Sequence, residues 1–102
     1  MNYVTLGKTN ITVNKNGFGG LPIQRISEKE SSVLLKKAYQ NGITFFDTAR
    51  DYSDSEEKIG IALSSVRDKI IIATKSTAQD KQTLLKHLET SLRMLKTSYV
   101  DI

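Results

Sequence analysis

The chain has 102 residues, 38% of them hydrophobic and 25% charged, with a formal net charge of +4 and no cysteine. That length supports one domain or part of one, and such a chain buries roughly two-thirds of its unfolded surface, enough for a core. The absence of cysteine excludes disulfides and thiolate metal sites, and the composition is that of a folded protein rather than a disordered tail.

The first residues, MNYVTLGKTN, lack the basic and apolar regions of a leader, and the longest aliphatic run, Ile70 to Ala73, is far too short to span a bilayer. A cytoplasmic location with no membrane partner is therefore expected. The basic residues are scattered, Lys36-Lys37 being the only adjacent pair, so no nucleic-acid partner is expected either.

In chain order, Tyr3 to Leu6 and Ile11 to Val13 flank Gly7-Lys8-Thr9-Asn10, which predicts a β-hairpin. Gly17-Phe18-Gly19-Gly20 follows as a short strand end that Pro22 terminates. Ser27 and Glu30 have capping-box spacing and open a first helix that places Val33, Leu34 and Ala38 on its apolar face and stops at Asn41-Gly42. Ile43 to Phe46 reads as a strand buried on both faces. Ser53 and Glu56 repeat the capping signal ahead of a second helix with Ile59, Ala62, Leu63 and Val66 on its stripe. Ile70 to Ala73 is the next buried strand. Leu84, Leu88, Leu92 and Leu95 recur at helical spacing, which predicts a third helix over Asp80 to Lys96. Tyr99 to Ile102 begins a further strand.

Strands alternating with helices imply right-handed βαβ units and a parallel sheet. A doubly wound sheet and a (β/α)₈ barrel both satisfy the pattern, and a complete barrel needs about 250 residues. In either fold, reactive groups gather where strands end. Asp47 and Lys75 stand at the ends of neighbouring strands, and Tyr52 lies on the loop that leaves Asp47. A tyrosine is a reluctant acid at neutral pH unless a nearby ammonium favours its phenolate, and a carboxylate can hold that ammonium in place. Such a trio suits a proton donor aimed at a carbonyl oxygen. The bland alternative is a turn aspartate, a solvated lysine and a loop aromatic.

The stretches GFGGLPIQRIS, FFDTARDYSDSEEKIG, IIIATKS and TSYVDI, in that order and at these separations, resemble the N-terminal part of the aldo-keto reductases, and the likeness runs from the LGKTNITV hairpin to Ile102. It implies an α/β fold made of parallel (β/α) units of a TIM-type barrel, incomplete, with an N-terminal β-hairpin, residues 1–102 forming roughly the first three and a half units. It implies reduction of a small-molecule aldehyde or ketone by a nicotinamide cofactor, usually NADPH. Tyr52 would be the general acid, Lys75 its partner, and Asp47 the carboxylate paired with Lys75. Gly20, Leu21 and Asp47 would lie beside the nicotinamide.

GFGGLPIQR and the loop after Asp47 look most like a bacterial branch, some of whose members carry an extra iron-sulfur domain; without cysteine this chain carries no such cluster. The family's catalytic histidine and most of its cofactor site would fall beyond Ile102, so the 102-residue chain alone is expected to be inactive. His87 is not that histidine: it lies roughly 100° from the centre of the leucine stripe and reads as an exposed helix residue. The competing class is a non-catalytic binding or structural module that self-associates through open strand edges.

Other motifs carry less. Gly17 to Pro22 fails the dinucleotide fingerprint because Pro22 stands at the third glycine position. Asp47-Thr48 lacks the second acid of an aspartyl phosphatase, Ala49 standing there instead. Glu56 and Glu57 read as acids favouring a helix N-terminus rather than as metal ligands.

Overall fold

The computed structural model describes residues 2–102. Strand β1 (Tyr3–Thr5) pairs antiparallel with β2 (Thr12–Asn14), and Gly7 and Asn10 take the positive φ of 54° and 62° that the connecting turn requires. Asn14 ties this hairpin to the body of the protein by donating from Nδ2 to the Gly42 carbonyl at 2.9 Å.

The main sheet has the order β3-β4-β5, with β3 at Phe18–Gly19, β4 at Phe45–Asp47 and β5 at Ile71–Ala73. Both pairings are parallel, with Gly19 opposite Asp47 and Asp47 opposite Ala73. Tyr99–Ile102 runs beside β5 in the same direction: Asp101 N–H donates to the Ile72 carbonyl, and Thr74 N–H to that of Ile102. Regular pairing is interrupted there because the Asp101 carboxylate itself accepts from Ile72 N–H at 2.9 Å. Arg67 buttresses that carboxylate at 2.9 Å and stacks on the Tyr99 ring.

Three helices fill the connections: α1 (Glu28–Gln40), α2 (Ser55–Leu63) and α3 (Lys81–Leu95). Ser27 and Glu30 form the expected reciprocal capping box at the start of α1. The core lies between these helices and one face of the sheet, where Leu35, Phe46, Ile59, Leu63, Ile72 and Leu95 are buried. Phe45, Asp47 and Ile71, which alternate with Phe46 and Ile72, are only half-buried, so β4 is covered fully on one face and not on both. Gly60 allows α2 to touch α3: a Cβ there would collide with the backbone of Met94 and Leu95.

The parallel β/α architecture with its leading hairpin is as expected, and the sheet is not closed into a barrel. Other local expectations are corrected. The apolar face of α1 is centred on Leu35, fully buried, whereas Val33 and Leu34 are exposed; three consecutive apolar residues left its phase ambiguous. No capping box opens α2: Asp54 precedes it without a side-chain cap, Ser53 has φ of 40°, and Glu56 is buried rather than turned back to the helix start. Val66 falls in a 3-10 segment after α2, not on the stripe of the helix itself. In α3 the leucine stripe is buried only at its end. Leu84 and Leu88, with Leu85, remain exposed along a cleft of about 230 Å³ that Val100 and Ile102 help to line. Among the described residues no helix is long and apolar enough to cross a membrane.

Candidate active site

The parallel register sets Asp47 and Ala73 side by side, so the chain leaving each strand emerges on the same rim. Thr48 N–H donates to the Ala73 carbonyl at 2.8 Å and Arg50 N–H to that of Lys75 at 2.9 Å, which continues the ladder beyond the strands. Lys75 is thereby aimed back across Asp47. Its ammonium donates to the Thr48 carbonyl at 2.7 Å and contacts the Asp47 carboxylate at 3.2 and 3.4 Å. The same nitrogen lies 5.1 Å from the centroid of the Tyr52 ring, within reach of a cation–π attraction. Asp47, Tyr52 and Lys75 are thus brought together at one strand-end rim. The ion pair is half open to water, with side-chain exposures of 53% for Lys75 and 46% for Asp47.

Gly20 and Leu21 reach the same rim by a different route. Gly20 N–H donates to the Asp47 carbonyl at 2.7 Å, and its own carbonyl accepts from Ser55 Oγ at 2.9 Å. A Cβ at Gly20 would stand 2.7 Å from Ser55 Oγ and 2.9 Å from the Asp47 oxygen, so only glycine fits. Its polar groups are engaged within the protein; Leu21 is what that segment exposes, with 51% of its surface open. Ser55 also pairs with the buried Thr48 hydroxyl at 2.8 Å, which locks the start of α2 to the end of β4.

Four polar side chains around the start of α2, Arg50, Glu56, Lys58 and Thr74, were not among the expected site residues. Glu56, fully buried, lies 2.6 Å from Arg50 Nη1, a charge contact whose angle departs from that of a hydrogen bond, and accepts from Thr74 Oγ1 at 2.7 Å. Both acids stand in the first turn of α2 as expected, but they diverge: Glu57 is exposed and Glu56 is buried. Lys58 is buried as well, and its ammonium holds the carbonyls of Ile23 and Ile26 and the carboxylate of Asp54. The nearest sequence signal was Arg50 in a polar loop ahead of paired acids, a pattern shared with any capped helix. His87 is corrected too: it is half-buried and its Nδ1 lies 2.5 Å from Ser76 Oγ, because the edge of the α3 stripe abuts the loop after Lys75. No cluster of three or more metal-ligating side chains occurs among the described residues.

The model of the aldo/keto reductase family matches residues 14–102. The chain belongs to that family. Aldo-keto reductase YhdN of Bacillus subtilis (strain 168) is 31% identical over 121 aligned positions that take in 100% of this chain. Methylglyoxal reductase DkgA of Yersinia pestis is 36% identical over 86 positions and 81% of this chain. Both relatives are bacterial, in keeping with the branch the motifs resemble. Among solved structures, aldo-keto reductase AKR11C1 of Bacillus halodurans in its holo form superposes with a TM-score of 0.87 at 27% identity over 98% of this chain. The chain spans 37% of the length of YhdN, 31% of DkgA and 38% of AKR11C1.

Proposed function

We propose that residues 1–102 form the N-terminal part of a (β/α)₈ aldo-keto reductase barrel and carry its proton-donating machinery for NAD(P)H-dependent reduction of a small-molecule aldehyde or ketone. The observation that supports this most strongly is the position of the Lys75 ammonium, between the Asp47 carboxylate at 3.2 Å and the Tyr52 ring at 5.1 Å. A dinucleotide's nicotinamide suits this rim: Leu21 offers an exposed aliphatic surface and the half-open Asp47 carboxylate offers an acceptor for an amide. Bound there, NADPH supplies the hydride that reduces the carbonyl carbon.

The side chains of this segment do the rest. Tyr52 gives its hydroxyl proton to the carbonyl oxygen as negative charge develops on it. Lys75 offsets the charge left on the phenolate, and Asp47 with the Thr48 carbonyl keeps the ammonium aimed inward. The 102-residue chain alone has little activity in this reading, because the remaining site groups belong to the other part of the barrel. Joining residues 1–102 to the complementary part of a related aldo-keto reductase tests it: aldehyde-dependent NADPH oxidation is expected. A folded chimera inert toward every aldehyde and ketone offered would contradict the proposal.

A second reading, a self-associating module without catalysis, is favoured by one feature. Leu84, Leu85, Leu88 and Ile102 are each between 39% and 50% exposed along one cleft, the kind of apolar surface that marks an association site. NADPH titration of the chimera separates the two, since only the enzyme reading predicts that substitution of Leu21 or Asp47 weakens cofactor binding there.

A further inference from the structure

The loop that carries Tyr52 and the strand end that carries Lys75 are tied together from beneath by one buried carboxylate. Glu56, in the first turn of α2, is fully buried, and both its oxygens are engaged: one by Arg50 at 2.6 Å, the other by Thr74 at 2.7 Å. Arg50 precedes Tyr52 in its loop, and Thr74 directly precedes Lys75. Arg50 also brackets Tyr52 from the far side, its Nη2 donating to the Ser53 carbonyl at 3.4 Å. The main chain closes the circuit through Arg50 N–H and the Lys75 carbonyl.

Burying a carboxylate is costly, and replacing a buried ion pair with apolar groups of similar volume is often neutral or stabilising, so this pair is a poor explanation of fold stability. What it supplies is geometry. The Lys75–Asp47 contact above it is half exposed, and water and salt weaken such pairs, so the rim cannot hold itself rigid by that contact alone. We propose that Glu56, acting through Arg50 and Thr74, is a positioning residue that fixes Tyr52 against Lys75. The role rests on the proposed assignment of Tyr52 as proton donor and Lys75 as its partner.

Proton NMR of the chain tests this through the cross-peak between the Lys75 ε-methylene and the Tyr52 ring, with the Phe18–Phe46 ring contact as a monitor of the core, its centroids being 5.7 Å apart. In Glu56→Gln, which keeps the shape and removes the charge, and in Thr74→Val, which removes one hydrogen bond, the Lys75–Tyr52 peak weakens at least twofold while the Phe18–Phe46 peak persists. An undiminished Lys75–Tyr52 peak in either folded variant overturns the proposal. Loss of both peaks together in both variants also overturns it, assigning Glu56 to the core. If Glu56→Gln alone loses the core contact, Thr74→Val decides on the same criterion. Absence of the Lys75–Tyr52 peak from the unsubstituted chain is a different failure, since it removes the contact on which the proposed function itself stands and overturns both.

Discussion

Lys75 donates to the carbonyl oxygen of Thr48 at 2.7 Å, a shorter contact than either of those it makes with the Asp47 carboxylate. The lysine is therefore held first by main chain and second by its counter-charge. In a completed barrel, Asp47→Asn should leave the ammonium in place. An exposed pair contributes about 0–1 kcal/mol, so the rate loss expected from the lost charge contact is less than about tenfold. Lys75→Met removes the cation itself and should cost more than about a hundredfold, on the scale of losing a charge stabiliser. Steady-state kinetics of the two variants check the ranking, and a larger loss in Asp47→Asn would refute it.

The start of α3 is expected to weaken in acid. Hydrogen bonds from the Thr83 hydroxyl at 2.7 Å and the Thr83 N–H at 2.9 Å hold the Asp80 carboxyl below its ordinary value of 3.8, with a smaller pull from His87. A group whose folded value is depressed contributes stability in full above the unfolded value and loses it as pH falls through the folded one. Circular dichroism between neutral pH and strong acid should show helix loss that is shallower in Asp80→Asn, because asparagine caps without titrating. Identical acid profiles for the two proteins would remove Asp80 as a cause.

Gly60→Ala sets two effects against each other. Alanine favours a helix over glycine by about 1 kcal/mol. The added carbon meets the backbone of Met94 and Leu95, which cannot turn aside as a side chain can, and overpacking costs about 1–3 kcal/mol or more. Steric cost should win, so denaturant unfolding is expected to show net destabilisation. A more stable Gly60→Ala protein would mean that α2 and α3 are free to separate.

The sequence made the paired signals legible and hid the three-way ones. Ser27 and Glu30 interact within one turn of chain, so their spacing alone announces them. Asp47 and Lys75 are far apart in sequence, yet each ends a strand, and parallel pairing turns that into proximity. Glu56 could not be read in the same way: its partners Arg50 and Thr74 lie on a loop and a strand end, and no periodicity relates them to α2. The pair of Arg67 and Asp101 was hidden for the same reason. Val33 and Leu34 read as the apolar face of α1, yet Leu35 stands directly beside them in sequence, and packing into the core selects it instead.

The cleft beside α3 makes a prediction independent of catalysis. Leu85 is 49% exposed there, and burying it against a second surface would be favourable. Light scattering of the 102-residue chain should show association rising with concentration, reduced in Leu85→Lys. A monomer at every concentration would count against an association surface at this cleft.

Tyr52 is where the whole account meets a single atom. In the chimeric barrel, Tyr52→Phe removes one hydroxyl and leaves the ring beside Lys75, so turnover should fall by about 10²–10⁴-fold, the range for loss of a general acid, with NADPH affinity nearly unchanged. A Tyr52→Phe chimera that reduces aldehydes at the rate of its parent would contradict the assignment of the proton donor, and with it the function proposed for this rim.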